Sequence, residues 1–192
     1  MKATEILEQE HRIIEPVASA CGVCAEVLRG GGSVPPDALG SIVGFFRQYG
    51  DQYHRQEEEM LLTMLREKGV DSGGCPIAVI DYENQKRKVL LEQLSSAAAA
   101  YAKSNGKVNG AVIDTLTALA EFFPDHIWKE DYLLLPMAEK LLSAEDQQIL
   151  GGSLHLIESI KGAEARRALE RLNGAIHHCM ETVTHSREAQ VA

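Results

Sequence analysis

The sequence predicts an all-α protein: an antiparallel up-down-up-down four-helix bundle with additional C-terminal helices. Long segments rich in Ala, Leu, Glu, Gln and Lys, all good helix formers, are separated by short loops of glycine and proline. Apolar residues recur every three or four positions, as at Ile6, Ile13 and Val17. Aromatic residues make up only 5% of the chain and β-branched runs are scarce, which disfavours a sheet.

The loops divide the 192 residues into four long helices and two shorter ones. The predicted helices span about 2–28, 37–68, 77–104 and 110–142, followed by about 144–161 and 163–187. Short loops between long helices make successive helices antiparallel neighbours. Ser143 precedes the tail helices, with Asp146 at the N3 position of a capping box. We therefore predict a bundle over 1–142 and a helical extension over 143–192 that packs on the same domain.

Composition excludes several classes of function. The net charge of −9 argues against a nucleic-acid-binding protein, which needs a basic surface for phosphates. The apolar runs are too short to span a bilayer, and the N-terminal residues lack the apolar stretch of a signal peptide. Four cysteines are too few for a disulfide scaffold. These features predict a cytoplasmic protein with neither nucleic acid nor membrane as a partner.

Two stretches share the pattern H-x-x-x-E-[ED]-x-L-L. One contains His54 and Glu58, and the other contains His126 and Glu130. Positions i and i+4 lie on the same face of a helix, so each histidine points the same way as its glutamate. A single H-x-x-x-E is common on helix surfaces. Two of them in alternate helices of a bundle, each followed by an apolar pair, indicate a metal site.

Distances along the predicted helices place four polar residues at similar heights. His11 lies about 17 residues before the end of the first predicted helix, and His54 lies about 17 residues after the start of the second. Both therefore lie ~26 Å from the loop that joins these helices. Asn84 and His126 lie about 20 and 16 residues from the third loop, a mismatch of ~6 Å. The four helices can therefore bring these side chains into one layer.

The two halves of the predicted bundle also repeat each other. Glu10 and His11 in the first helix correspond to Glu83 and Asn84 in the third helix. An asparagine thus stands where the symmetry expects a second single histidine. Glu83 is a fallback ligand, although it lies ~100° around the helix from Asn84.

These residues resemble the hemerythrin-like family of HHE cation-binding domains over about residues 3–142. The resemblance rests on His11, His54 with Glu58, His126 with Glu130, and the flanking LLTML, LLLPM and CPIAVIDYEN. It implies a four-helix bundle enclosing a carboxylate-bridged, non-haem di-iron centre. His11 and His54 would hold one iron, His126 the other, and Glu58 and Glu130 would bridge them.

The chain departs from that pattern at the second iron. Asn84 replaces an expected histidine, and Lys88 stands where the oxygen carriers of the family have another.

The chemistry of the ligands agrees with a metal site without reference to any family. Two imidazoles and one carboxylate, here His11, His54 and Glu58, suit ferrous non-haem iron with open positions, although zinc and manganese accept the same ligands. Asn84 offers an amide oxygen, a poorer donor than imidazole, so we expect a firmer site at His11 and His54 than at His126. The alternative is a set of buried His–Glu hydrogen bonds, which for five residues would bury several carboxylates at high cost.

Residues around the motifs are interpreted more simply. Five acidic neighbours are predicted to form a solvated rim: Asp51, Glu57, Glu59, Asp125 and Asp131. Three tyrosines are interpreted as packing residues rather than as ligands or donors to the centre: Tyr49, Tyr53 and Tyr82. Cys21 and Cys24 form a C-x-x-C on a helix with no strand before it, which favours packing over redox chemistry. A third H-x-x-x-E, His177 with Glu181, lies in the tail without a partner helix.

The sequence as a whole predicts a cytoplasmic iron protein, with two unequal iron sites, that binds or reacts with O2, peroxide or nitric oxide. Relatives in the family imply, as an alternative, a redox or iron-supply role in the stress response. Asn84 also leaves open a mononuclear centre, or a metal-poor structural bundle. Whether the protein is an enzyme, and whether its tail helices cap the bundle or form a homodimer face, stays open.

Overall fold

The computed structural model describes residues 2–107 and 110–191, with side chains described up to residue 172 except at residue 165. Within these ranges the regular structure is entirely helical, which confirms the predicted all-α class. The α-helices are α1 (Ala3–Arg29), α2 (Pro36–Phe45), α3 (Arg55–Glu67), α4 (Ile77–Lys103), α5 (Gly110–Lys129), α6 (Leu135–Leu141) and α7 (Ala144–Val191). Two π-helical segments join them: π1 (Phe46–His54) between α2 and α3, and π2 (Glu130–Leu134) between α5 and α6.

Two features of the helices differ from the prediction. The long helices predicted over 37–68 and 110–142 each contain a π segment, in which hydrogen bonds run from residue i to i+5 and the turn is wider. Pro136, the second residue of α6, lacks the N–H that a continuous α-helix would need to bond back into π2, which accounts for the altered hydrogen bonding. The prediction of two separate tail helices is wrong, because α7 continues through Gly162 as one helix. A glycine inside a helix costs only ~1 kcal/mol relative to alanine, so it does not force a break.

The start of α7 matches the predicted capping box. The Ser143 hydroxyl oxygen accepts a hydrogen bond from the Asp146 backbone N–H at 3.1 Å, and the Asp146 carboxylate accepts one from the Ser143 N–H at 2.9 Å. Lys68 and Ser143 hold the pKa of the Asp146 carboxyl at about 2.

Two apolar cores lie on either side of a buried polar layer. In α1, Leu7 belongs to the first core and Ile14 to the second, with His11 between them. The same polar break separates the two cores along each of the other long helical stretches, and the order of the cores reverses from one stretch to the next. The buried polar side chains of this layer are Glu10, His11, His54, Glu57, Glu58, Glu83, Asn84, Arg87, His126 and Glu130.

Packing between the helices places this layer inside the molecule. Helix α5 packs against α1 and α4, and α2 packs against α4. Helix α7 runs across the outside and contacts α1, α2, π1 and α3. In the part of the chain that the structure describes, no helix is both long enough and apolar enough to cross a membrane.

Candidate metal centre

Three histidines from three different helical stretches converge on one carboxylate. His11 lies on α1, His54 ends π1 and His126 lies on α5, and all three side chains are buried. Their Nε2 atoms lie 2.7, 3.8 and 3.3 Å, respectively, from the carboxylate of Glu130. Glu130 is the first residue of π2 and is itself buried. The sequence therefore folds so that these four groups share one small interior volume.

Potential ligand atoms in this volume form two overlapping groups. The first half-site consists of His11, His54 and Glu130, and the second half-site consists of Glu58, His126 and Glu130. Within each half-site, one ligand atom of each residue lies within 4.8 Å of the others. The sequence grouped Glu58 with His11 and His54, whereas the structure brings Glu130 to those histidines. Glu58 instead accepts a hydrogen bond from the Asn84 amide at 2.5 Å.

Each of the three imidazoles is oriented by a carboxylate that contacts the ring nitrogen facing away from the centre. The Nδ1 atoms face these carboxylates in three pairs: His11 with Asp131 at 2.6 Å, His54 with Glu10 at 2.7 Å, and His126 with Glu83 at 3.0 Å. A carboxylate accepts only, so each Nδ1–H donates, and Nε2 is the ring nitrogen that faces the interior and can bind a cation once it has released its proton. Pairing of this kind fixes the tautomer and orientation of metal-binding histidines.

The predicted solvated rim is wrong for two of its five residues. Asp131 bonds His11, and Glu57 is completely buried beside Glu10. The prediction assumed 3.6 residues per turn, but Asp131 lies within π2 and Glu57 follows π1, so the wider turns change the direction in which both side chains point. Asp51, Glu59 and Asp125 keep partly or largely exposed side chains, as expected of a rim.

The electrostatics of the layer are those of buried carboxylates that need positive charge. Burial alone would raise the pKa of Glu130, but His126, His11 and His54 hold it well below its usual range. Burial alone would lower the pKa of His11, but Asp131 and Glu130 outweigh it and raise that pKa to about 10. Glu10 and Glu130 likewise raise the pKa of His54 to about 9 against its burial. Protons on His11 and His54 thus supply positive charge that a bound cation would otherwise supply.

Several buried polar atoms at the centre lack a hydrogen bond of regular geometry among the described residues, although some of them lie within ion-pair distance of one another. They are His11 Nε2, His126 Nε2, Glu58 Oε2, Glu130 Oε1 and Asn84 Oδ1. Buried polar atoms are nearly always paired, so a cluster of unpaired ones needs an explanation. Every atom of this set can donate a lone pair, and a single class of ligand, a metal cation, satisfies all of them. The residues present therefore fit a metal ion.

The second half-site differs from the first in two side chains that face it. Asn84 donates its amide N–H to Glu58, while its oxygen is unpaired among the described atoms. Lys88 is exposed, but Arg87 is buried and its charge acts to lower the pKa of Glu58, although burial and Glu130 raise that pKa overall. Sequence reasoning missed Arg87. Its position three residues after Asn84, on the same helix face, was the available signal.

The remaining candidates belong to neither half-site. Tyr49 and Tyr53 are buried residues of π1, whereas Tyr82 is 72% exposed on the surface. Cys21 and Cys24 are buried in the second core, and burial raises the pKa of the Cys21 thiol. His177 and Glu181 lie outside the residues whose side chains the structure describes.

The fold and this centre define an all-helical protein with a buried histidine–carboxylate site for a cation. The family model of the hemerythrin HHE cation-binding domain matches residues 2–138, and the chain belongs to that family. The resemblance inferred from the sequence is thereby confirmed. Comparison with the curated proteins and with the solved structures found no match to this chain.

Proposed function

We propose that the protein is a non-haem iron protein of the hemerythrin type, with a carboxylate-bridged pair of irons that binds or reacts with O2 or a related small molecule. The observation that carries the proposal is the position of Glu130, which belongs to both half-sites and approaches all three Nε2 atoms. A carboxylate shared in this way suits a bridging ligand. Imidazole and carboxylate ligands in a helical bundle are typical of di-iron proteins, although zinc or manganese could occupy the same atoms.

The roles follow from the half-sites. His11, His54 and Glu130 would hold the first iron, and His126, Glu58 and Glu130 the second, with the Asn84 oxygen as its neutral ligand. The family pattern implies that Glu58 also bridges. Such an iron pair supplies one-electron redox chemistry and open coordination positions.

The chain's own residues orient and enclose the centre. The carboxylates of Asp131, Glu10 and Glu83 hold the three imidazoles in the tautomer that directs Nε2 inward. The two apolar cores exclude water from either side of the layer. Their alternating order along the chain supports the up-down-up-down bundle, and a cytoplasmic location remains part of this proposal.

A mononuclear centre at the first half-site is the second candidate. The Asn84 amide donates a hydrogen bond to Glu58, and the buried Arg87 already provides positive charge near that carboxylate. Both features reduce the need for a second cation. In this case Glu130 would bind one ion through the first half-site only.

Metal analysis of protein purified without added ions separates these candidates. We expect iron at about two ions per chain from the two half-sites. About one ion per chain would favour the mononuclear centre, and a metal-free protein that takes up no iron on anaerobic titration would contradict both. Anaerobic reduction followed by air then distinguishes reversible binding, seen as a spectrum that returns on removing O2, from rapid oxidation or peroxide turnover.

A further inference from the structure

Helix α7 contacts the π segment that carries His54 through three polar side chains. The contacts are Lys161 Nζ to the Gln52 carbonyl oxygen at 3.0 Å, Tyr53 Oη to Glu158 Oε2 at 2.5 Å, and Arg171 Nη2 to Gln48 Oε1 at 2.8 Å. All three are directed at π1, and two of them reach the residues immediately before His54. Helix α7 begins at Ala144, beyond the residues 2–138 that the family model matches.

The geometry of π1 explains why such contacts matter. Where a π segment returns to an α-helix, the backbone hydrogen-bond register shifts by one residue, so this backbone is less well fixed than a regular helix. The Lys161 ammonium binds a carbonyl at that junction, two residues before His54. A cationic donor on a neighbouring helix therefore fixes the end of π1, from which the His54 side chain projects.

The Tyr53–Glu158 contact lies close to the centre as well. Tyr53 and Glu158 line a cavity of about 300 Å³ together with Glu10, the carboxylate that bonds His54 Nδ1. Tyr53 is almost completely buried and directly precedes His54. A displacement of its phenol would therefore move both the backbone of His54 and the surroundings of Glu10.

Gly162 makes room for this contact. A Cβ atom built at Gly162 would overlap the carboxylate group of Glu158, whose atoms are the nearest ones to it. Gly152, ten residues earlier in the same helix, has no atom within 4 Å of an added Cβ. The helix thus carries one glycine at which an added methyl group must move the Glu158 carboxylate, the flexible end of its side chain, and one at which it moves nothing.

We propose that α7 is a positioning element for the metal centre, in which Glu158, Lys161 and Gly162 hold π1 so that His54 is aimed at the first half-site. The inference rests on the proposed metal-binding function. It assigns no ligand to α7. Its effect is on the orientation of His54; carboxylates that bond a ligating histidine directly change metal affinity by ~10- to 100-fold, and α7 acts one contact further out, so we expect a smaller change.

The test compares Gly162→Ala with Gly152→Ala in the full chain. Both substitutions replace a helical glycine of α7 by the better helix former, so neither is expected to unfold α7. Only Gly162→Ala displaces Glu158. Titration with Co2+, followed by its visible absorption, should give a Kd for the tighter site that rises severalfold, up to ~10-fold, in Gly162→Ala and stays at the wild-type value in Gly152→Ala. Lys161→Met should raise the same Kd.

Hydrogen exchange of the metal-free proteins provides a readout independent of the metal. Amides of residues 46–56 should exchange faster in Gly162→Ala and Lys161→Met than in Gly152→Ala. If the wild type binds Co2+ and both variants keep its Kd and exchange rates, the positioning role is wrong while the proposed function stands. If the wild type binds neither Co2+ nor Fe2+, the proposed function is wrong and the positioning role falls with it.

Discussion

The two half-sites are built from corresponding helices but contain different donors. The first has two imidazoles, His11 and His54, and the second has one imidazole and Glu58, with the Asn84 amide where the sequence repeat expects a histidine. Both use Glu130. The difference shows that a repeated backbone can present side chains at equal heights while their donor atoms determine how strongly each position attracts a cation.

The electrostatics of the carboxylates also favour the first half-site over the second. The three imidazoles keep Glu130 ionised, whereas burial and the adjacent Glu130 raise the pKa of Glu58. Arg87 adds a positive charge on the side of Glu58. Because Glu130 serves both half-sites, the difference lies in Glu58, and we expect the first half-site, which does not contain Glu58, to fill first.

Glu130→Ala should have the largest effect, because it removes a ligand from both half-sites. Metal affinity should fall by more than ~100-fold at both positions, and protein purified from cells grown with iron should contain almost none. Elemental analysis of the purified variant measures this. Glu59→Ala, a partly exposed carboxylate on α3, is the control and should keep the wild-type metal content. A Glu130→Ala protein that retains one tightly bound ion would show that Glu130 is not a ligand of both half-sites.

Glu58→Ala should empty the second half-site and leave the first. The expected content is about one ion per chain, since His11, His54 and Glu130 remain intact. Anaerobic Fe2+ titration with a count of equivalents is the measurement. Two retained ions would show that Glu58 is not a ligand. Loss of both ions, with loss of stability, would indicate that Glu58 links them as the family pattern implies.

Glu10→Gln and Glu83→Gln compare the carboxylates behind His54 and His126. We expect Glu10→Gln to weaken the first half-site by ~10- to 100-fold, because Glu10 is nearly fully buried and orients His54. Glu83→Gln should weaken only the second half-site, and by less, since Glu83 is shared with Lys129. Titrations with Co2+ resolve the two constants. Equal losses at both half-sites in both variants would mean that these carboxylates act on the centre as a whole.

Asn84→His should have the smallest effect, and it should increase the metal affinity of the second half-site. A second imidazole strengthens the second half-site, but the variant also loses the hydrogen bond to Glu58, which is worth ~1 kcal/mol. The net expected change is a rise in affinity for the second ion of roughly tenfold or less. Competition with a chelator of known affinity would measure it. An unchanged or lower affinity would count against the missing histidine as the cause of unequal sites.

Apolar periodicity and chain length predicted the helices and the level of the centre. Helix α1 was expected over about 2–28 and α4 over about 77–104, within a residue or two of Ala3–Arg29 and Ile77–Lys103. The same arithmetic predicted a common layer for His11, His54 and His126, which the structure brings together around Glu130.

The π segments could not be predicted in this way. Their altered hydrogen bonding follows from tertiary packing and from Pro136, and one extra residue per turn redirects the side chains that follow. Glu57 and Asp131 were assigned to the surface for this reason. The surroundings of Glu58 could not be predicted either, because periodicity does not specify the side-chain conformations that bring the Asn84 amide into a hydrogen bond with it and the Arg87 charge near it.

X-ray diffraction from crystals of iron-loaded protein, measured on both sides of the iron absorption edge, tests the central claim most directly. The anomalous difference map should contain its strongest peak among His11, His54 and Glu130, with a weaker peak among Glu58, His126 and Glu130. A map with no iron peak within the buried layer, from protein that contains iron by elemental analysis, would contradict the account.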